Sequence, residues 1–230
     1  MSNLNNKTLS VDELTSRLLK RRTIIRPFRW GYSVDDCTRL LTAAYKAQVQ
    51  ARGGQCIMDD YTTSNIMNVA KAMNNLCGMK RGFILCGDCG NGKTTMMHAV
   101  ADATELLQDD FGAFTHFKPG YGTYKDDVHY TFADAMDCAY AERDGVFATA
   151  AKPILVIEDM GQEPLEVQSY GNIYNPVIDI LGKRYERSLP TFITTNLDPQ
   201  QLGKRYGKRI QDRLREMMFT IPFDNPSYRK

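Results

Sequence analysis

The segment GDCGNGKTT at residues 87–95 limits the possible folds of this chain more than any other feature. It matches the pattern G-x-x-x-x-G-K-[S/T] through Gly87, Gly92, Lys93 and Thr94. A short apolar run, GFILCG, leads directly into it, and apolar residues at helical spacing follow. Glycines let the backbone curl so that successive amide groups converge on an anion, and the next helix presents its positive end there. The pattern predicts a phosphate-binding loop between a strand and a helix.

The side chains of this loop predict how a nucleotide is held. We expect Lys93 to reach the outer phosphates and the Thr94 hydroxyl to ligate Mg²⁺. The other predicted phosphate contacts are Gly87, Asp88, Cys89, Gly90, Asn91, Gly92 and Thr95. ATP and Mg²⁺ are therefore the expected cofactors.

An acidic pair follows a second apolar run, in ILVIEDMG at residues 154–161. The four apolar residues predict a buried strand, from whose end Glu158 and Asp159 emerge. Hydrolysis needs carboxylates at the end of a strand beside the phosphate loop, where they hold magnesium and the attacking water. The alternative is an ordinary buried strand that ends in a solvated acidic turn.

A third strand-like run, TFITTNLDP at residues 191–199, ends in polar residues. Asn196 stands at its tip, where its amide is predicted to contact the attacking water or the terminal phosphate. Taken alone, Asn-Leu-Asp-Pro is a turn signal. The order in the chain supports the functional interpretation: phosphate loop, acidic strand, then polar-tipped strand.

Strand-like and helical stretches alternate over residues 55–230. The strand-like runs lie at 82–87, 112–117, 153–158, 191–195 and 218–222, and the helical stretches lie around 93–107, 131–142 and 171–187. This alternation predicts an α/β domain with a five-stranded, mostly parallel sheet flanked by helices.

Residues 1–54 are predicted to form a small N-terminal helical extension that binds a partner. Ser10 and Glu13 match a capping box, and Ser33 precedes apolar residues at helical spacing that stop at Gly53 and Gly54. Between these helices, TIIRPFRWGY at 23–32 mixes arginines with aromatic residues. It is either a contact for a partner protein or single-stranded nucleic acid, or an apolar strap docked on the main domain.

Charge and hydropathy restrict the remaining classes of function. The formal net charge is +2, so no overall field draws the chain to nucleic acid or to an anionic membrane. No apolar run approaches the roughly 18 residues of a membrane helix, and the amino terminus lacks the apolar core of a signal peptide. We expect a cytoplasmic protein with no membrane partner. Its six cysteines lack the spacing of a zinc site, so we expect reduced thiols.

Taken in order, these motifs resemble the AAA+ ATPases, a group of P-loop NTPases. The nearest subgroup holds the DnaC-type replicative helicase loaders and the IstB-type transposition helper ATPases. The resemblance covers about residues 55–230 and rests on GDCGNGKTT, LVIEDMG, YGNIYNPVIDILGKRYER, FITTNL and RYGKRIQDRLREM. It implies that Glu158 is on the metal side, Asp159 polarises water and Asn196 is the sensor. The usual metal-side residue is aspartate, so the division of roles between Glu158 and Asp159 stays open.

The resemblance also implies that Arg213, in the stretch RYGKRIQDRLRE, is an arginine finger. In the family this arginine points at the nucleotide of a neighbouring subunit, which implies self-association head to tail through the ATP site. Arg209 is the substitute candidate. The other basic residues, Lys204, Arg205 and Lys208, are predicted to form a solvated basic face or a patch that contacts nucleic-acid phosphates.

Only DNPSYRK remains beyond IPF, residues 221–223, at the end of the last predicted strand. We therefore expect no C-terminal helical lid, a truncation that the resemblance attributes to helicase loaders and transposition helpers. Arg229 lies where a second sensor arginine would reach the nucleotide, and a disordered basic terminus is the alternative.

These features predict an ATP-hydrolysing helicase loader that acts in DNA replication. It would bind a replicative helicase through residues 1–54, and single-stranded DNA as an ATP-dependent oligomer. The alternative is an IstB-like ATPase that assists a transposase on duplex DNA. Two other classes remain open: a small-molecule phosphotransferase, and an ATP-gated binding module with negligible turnover.

Overall fold

A computed structural model describes residues 10–20, 28–76, 80–111, 129–141, 143–169 and 171–229. The helices in these ranges are α1 (Val11–Lys20), α2 (Val34–Ala51), α3 (Asp60–Asn74), α4 (Lys93–Phe111), α5 (Ala135–Tyr140), α6 (Arg143–Ala150), α7 (Pro176–Glu186), α8 (Pro199–Tyr206) and α9 (Lys208–Met217). The strands are β1 (Gly82–Gly87), β2 (Tyr130–Asp134), β3 (Ile154–Met160), β4 (Val167–Ser169), β5 (Asn172–Tyr174), β6 (Thr191–Thr195) and β7 (Met218–Phe223).

Five of these strands form one parallel sheet in the order β2-β3-β6-β1-β7. Strand β1 lies between β6 and β7, with Ile84 opposite both Ile193 and Thr220. β1, β3 and β6 are buried for most of their length because helices cover both faces of the sheet. The predicted α/β class with a parallel sheet is confirmed.

The sequence predicted β1, β3, β6 and β7 to within a few residues, but it was wrong at the edge strand. A helix was expected over 131–142, whereas residues 130–134 form β2 and pair in register with β3. Helix α5 begins only at Ala135 because the side chain of Asp134 caps it by accepting from the Met136 amide. The strand predicted at 112–117 lies outside the described residues.

The helix predicted around 171–187 begins later than expected. Residues 172–174 form β5, which pairs with β4 in a short antiparallel ribbon. Asn175 then caps α7 by accepting from the Ile178 amide, and Pro176 occupies the first helical turn. Local capping therefore decides where this helix starts.

Two cores lie on opposite faces of the sheet. Side chains of one strand alternate between the faces, so Phe83 and Leu85 of β1 point to one core and Ile84 points to the other. The first core is completed by helices α2, α3 and α4, and the second by α5 to α9.

The segment before α3 is part of the first core. Phe28 and Trp30, which precede α2, are buried there together with Cys37, Leu41 and Tyr45 of α2. The Trp30 indole donates to the Thr104 hydroxyl of α4 at 3.0 Å. Phe28 and Trp30 therefore dock on the main domain, as expected if the segment 23–32 is an apolar strap. Residues 23–27 of this segment lie outside the described part. The domain boundary at residue 54 stays a prediction.

Candidate nucleotide-binding site

The glycine-rich loop joins β1 to the first turn of α4. Gly90 and Gly92 adopt positive φ angles of 83° and 93°. A Cβ at Gly92 would lie 2.7 Å from the Tyr45 hydroxyl, and one at Gly90 would lie 2.2 Å from Ser227 Oγ. Glycine is therefore required at both positions by conformation and by close packing.

The ammonium group of Lys93 lies inside this loop. Its Nζ donates to the carbonyls of Gly87 and Asp88 at 2.6 and 2.7 Å, and to the side-chain oxygens of Asn91 and Asn196 at 3.1 and 3.0 Å. Burial lowers the pKa of Lys93. Every one of these acceptors is neutral, so the positive charge keeps its attraction for an anion. The structure thus brings together Lys93 and Asn196, which the sequence predicted to share a site.

Buried amides hold the loop in place. Asn91 donates to the Phe223 carbonyl at 2.7 Å, and Asn225 donates to the Asn91 carbonyl at 3.1 Å. Asn65 of α3 in turn donates to the Asn225 side chain at 3.1 Å. The loop is therefore tied to β7 and to α3, and its shape does not depend on local sequence alone.

The acidic pair lies at the carboxyl end of β3, next to the loop. Asp159 has a φ of 51°, and the pairing of β3 with β6 shifts between Ile157 and Met160. The Asp159 amide donates to the Thr194 hydroxyl at 3.0 Å, which holds this irregular strand end on β6. Asp159 lines the cavity described below.

Glu158 does not line that cavity, and its side chain is 19% exposed. Its Oε1 is buried without a hydrogen-bond partner among the described residues and lies 3.9 Å from His98 Nε2. Burial raises the pKa of Glu158, and the nearby charge of Asp159 raises it further. Burial also lowers the pKa of His98, which stacks on Phe132 with ring centroids 4.3 Å apart. A neutral His98 does not neutralise this carboxylate.

The phosphate loop, Asp159 and Asn196 border a cavity of about 930 Å³, a volume that suits a nucleotide. The lining includes the loop residues Cys89, Gly90, Asn91, Gly92, Lys93, Thr94 and Thr95, with Asp159 and Asn196. The lining also includes residues from α2 and the segment after it and from the C-terminal tail: Tyr45, Val49, Arg52, Gly54, Gln55, Cys56, Ile57, Gln162, Tyr228 and Arg229.

Several lining residues had no predicted role, among them Tyr45, Arg52, Gln162 and Tyr228. Arg52 Nη1 donates to the Thr95 hydroxyl at 3.1 Å, which brings a second cation to the phosphate loop. No local signal identifies Tyr45 or Arg52, because both belong to the predicted extension. Gln162 follows the end of β3 closely, so the strand-end argument that found Asp159 also applied to it.

The C-terminal tail closes one side of the cavity. The Tyr228 amide donates to the Gly90 carbonyl at 2.9 Å, and its hydroxyl donates to the Asp59 carboxylate at 2.9 Å. Arg229 lines the cavity, with Nη1 3.6 Å from Cys89 Sγ. The structure therefore places Arg229 beside the predicted nucleotide position, although its role as a sensor stays a prediction.

Arg213 lies elsewhere, on α9. Its guanidinium is 4.9 Å from the centroid of the Tyr185 ring and 3.6 Å from Glu186 Oε1. It does not line the cavity of its own chain, and its role toward a neighbouring subunit stays a prediction. Arg209 is exposed on the same helix.

The basic stretch is not one uniform solvated face. Lys204 and Lys208 are exposed, as that interpretation requires. Arg205, however, is partly buried and donates to the backbone carbonyl of Glu163. Its charge is turned toward the loop after β3, because a buried carboxylate lies there.

The residues present fit a magnesium-bound nucleoside triphosphate. The loop offers backbone amides, a buried ammonium and a helix amino terminus to the phosphates. The unpartnered Oε1 of Glu158 and the hydroxyl of Thr94 are oxygen donors of the kind that Mg²⁺ prefers. This donor set fits the cofactors that the sequence predicted.

Comparison with known proteins finds helicase loaders. The replicative helicase loader DnaI of Bacillus subtilis strain 168 is 26% identical over 132 residues, which are 57% of this chain and 38% of DnaI. The chain thus spans well under half the length of that curated relative. No family model matches.

Two solved structures share the fold. The DnaC helicase loader superimposes with a TM-score of 0.53 at 17% identity, over 78% of this chain and 98% of that chain. A proposed primosome component of Streptococcus pyogenes serotype M3 gives a TM-score of 0.50 at 21% identity, over 76% and 85%. These structures share the predicted α/β fold, and the resemblance to DnaC-type helicase loaders is confirmed. In the described part of the chain, no helix is long and apolar enough to cross a membrane.

Proposed function

We propose that this chain is an ATP-hydrolysing loader of a replicative helicase. The observation that carries the proposal is the position of Lys93, whose ammonium bridges the glycine loop and Asn196 at the end of β6. Phosphate loop, acidic pair and polar strand tip follow the carboxyl ends of β1, β3 and β6, three adjacent strands of the parallel sheet, as nucleotide hydrolysis requires. Because the chain is similar to the helicase loaders DnaI and DnaC, we assign this ATP hydrolysis to helicase loading.

Two groups of lining residues suit different parts of the nucleotide. Lys93 and the loop amides would bind the outer phosphates, with Arg52 and Arg229 as additional cations. Tyr45, Val49 and Tyr228 offer aromatic and aliphatic surface to the base and sugar.

MgATP would supply the phosphoanhydride bond and a metal ion that neutralises phosphate charge. Thr94 and Glu158 would hold the metal, since both offer oxygen ligands at the loop. Asp159 lines the cavity and would orient and polarise water there, while the Asn196 amide would contact that water or the terminal phosphate.

Each site would be completed by a neighbouring subunit. Arg213 lies outside the cavity of its own chain, and its ion pair with Glu186 is weak because the Glu186 side chain is 64% exposed. The Arg213 side chain is 18% exposed and packs on the Tyr185 ring, so it would have to turn outward to reach a nucleotide in a head-to-tail neighbour. There it would oppose developing phosphate charge.

The partners would be a replicative helicase and single-stranded DNA. Helix α1 exposes an apolar face that suits a protein partner, and Lys204, Lys208 and Arg209 expose cations that suit phosphates. Equilibrium binding to matched single-stranded and duplex DNA tests the second partner. Preference for duplex would favour a transposase helper instead.

The central experiment measures ATP turnover with single-stranded DNA present. Lys93→Ala and Arg213→Ala are each expected to fall to background alone. Mixed in equal amounts they should recover about a quarter of wild-type turnover, because one interface in four then joins an intact loop to an intact arginine. Arg215→Ala is the matched control, since Arg215 is an exposed arginine on the same helix.

Two outcomes would contradict the proposal. Full turnover of Arg213→Ala alone would show that hydrolysis does not need Arg213 from a neighbouring subunit. Wild-type turnover equal to that of Lys93→Ala would show an ATP-gated binding module instead of an enzyme.

A further inference from the structure

A buried carboxylate lies outside the cavity, in the loop that follows β3. Glu163 is 1% exposed. Tyr206 donates its hydroxyl to Glu163 Oε1, and the Gly161 amide donates to Oε2 at 2.7 Å. The Arg205 guanidinium lies 4.0 Å from Oε1 and also donates to the Glu163 carbonyl. We call Glu163, Arg205 and Tyr206 the Glu163 cluster.

One end of the Glu163 cluster sets a tight turn beside the cavity. The Gln162 amide donates to the Asp159 carbonyl at 3.1 Å, and Gly161 between them has a φ of 109°. A Cβ at Gly161 would lie 2.6 Å from Leu197 Cδ1, so the turn is pressed against the end of β6. The bond from Gly161 to Glu163 therefore helps to place Asp159 and Gln162, which both line the cavity.

The other end of the Glu163 cluster lies in the last turn of α8. Arg205 and Tyr206 are followed at once by Gly207 and by α9, which carries Arg209 and Arg213. A movement of this helix pair would change the bond between Tyr206 and Glu163. A buried carboxylate is costly to leave without its donors, so the turn would have to follow the helices.

We infer that the Glu163 cluster is a set of positioning residues that couples the Asp159–Gln162 turn to the position of α8 and α9. The inference rests on the proposed function. When Arg213 binds the nucleotide of a neighbouring subunit, α9 changes position. The cluster then moves Asp159, the carboxylate that would polarise water in the chain's own site. ATP hydrolysis is then cooperative between subunits, and the cluster affects turnover more than nucleotide affinity.

The test uses Tyr206→Phe, which removes one hydroxyl, and Glu163→Gln, which keeps the shape of the side chain. We expect kcat to fall about tenfold, the size of effect expected when a hydrogen bond to a charged group is removed. The Hill coefficient for ATP should fall toward 1, because the coupling between subunits is lost. The dissociation constant of a fluorescent ATP analogue should change by less than about twofold. Tyr174→Phe is the control, because its hydroxyl donates to the Ala141 carbonyl and not to a member of the cluster.

Hydrogen exchange of the nucleotide-free protein gives a second readout. Exchange at the Gly161 amide should be faster in Tyr206→Phe than in wild type or Tyr174→Phe. Wild-type kcat, Hill coefficient and exchange in Tyr206→Phe would overturn the inference. So would parallel losses of nucleotide affinity and melting temperature in both cluster variants, since these indicate structural damage. Absence of wild-type turnover above Lys93→Ala would instead refute the proposed function, and the coupling with it.

Discussion

At the scale of single residues, the acidic pair combines two different environments within one dipeptide. Asp159 lines the cavity, whereas Glu158 lies outside its lining and has a buried oxygen, Oε1, without a hydrogen-bond partner among the described residues. An ionised carboxylate in this position costs free energy of folding unless a metal ion binds it. The difference suits a metal ligand at Glu158 and a water-polarising group at Asp159.

This cost predicts that Glu158→Gln stabilises the nucleotide-free protein. The pKa of Glu158 is raised by burial, so its ionised form destabilises the folded state above that pKa. At pH 8 we expect the variant to melt roughly 2–4 °C above wild type, which corresponds to about 1 kcal/mol for a chain of this size. The gap should close as pH falls through the raised pKa, because wild-type Glu158 then becomes protonated.

Differential scanning calorimetry at several pH values measures this gap. Glu166→Gln is the control, since Glu166 is an exposed carboxylate in the same loop region. A variant that melts below wild type at every pH would show that Glu158 forms a stabilising contact in the free protein.

At the scale of elements, helix α1 has an apolar face that is exposed instead of buried. Val11, Leu14 and Leu18 share one face, yet they are 77%, 44% and 57% exposed. A helix of ten residues is marginal in water by itself. A partner that covers this face would stabilise the helix and bury its leucines.

We therefore predict that Leu14→Asp combined with Leu18→Asp weakens binding to a replicative helicase at least tenfold, because charges then enter an apolar contact. Sedimentation of mixtures with the helicase measures the affinity. Ser16→Asp adds a charge on the opposite face and should bind as wild type does. Unchanged affinity of the double variant would place helicase binding elsewhere, and ATP turnover of all variants should match wild type.

At the scale of the whole molecule, the strap and α2 belong to the same core as the helices around β1. Trp30 donates a hydrogen bond to Thr104 of α4, and Leu41 of α2 is buried in the first core. These contacts predict one cooperative unfolding transition. Because Trp30 is the single tryptophan, its fluorescence reports on the strap. In urea, the fluorescence and far-UV circular dichroism midpoints should coincide.

Leu41→Ala sharpens this test. It should lower both midpoints together and cost about 2–5 kcal/mol, since Leu41 is fully buried. Lys46→Ala on the exposed side of α2 is the control. A separate, earlier fluorescence transition would show that the predicted extension unfolds independently of the main domain.

Much of the fold and the site was open to prediction from the sequence. Lys93, Thr94, Glu158, Asp159 and Asn196 all stand at the ends of strands or in the loop, where short-range patterns identify them. The edge strand β2 was missed because its five residues carry no distinct signal, and its pairing with β3 supplies the stability. The start of α5 was missed because one cap at Asp134 decides it.

The sequence by itself determined the phosphate loop, the apolar strands and their polar ends, because glycine geometry and side-chain alternation act between neighbours in the chain. Only the tertiary structure decided that α2 and the C-terminal tail line the cavity. The same holds for Arg205, which lies against Glu163, and for Arg213, which lies away from its own site. These arrangements join residues that are far apart in the chain, and their contacts depend on how the helices pack on the sheet.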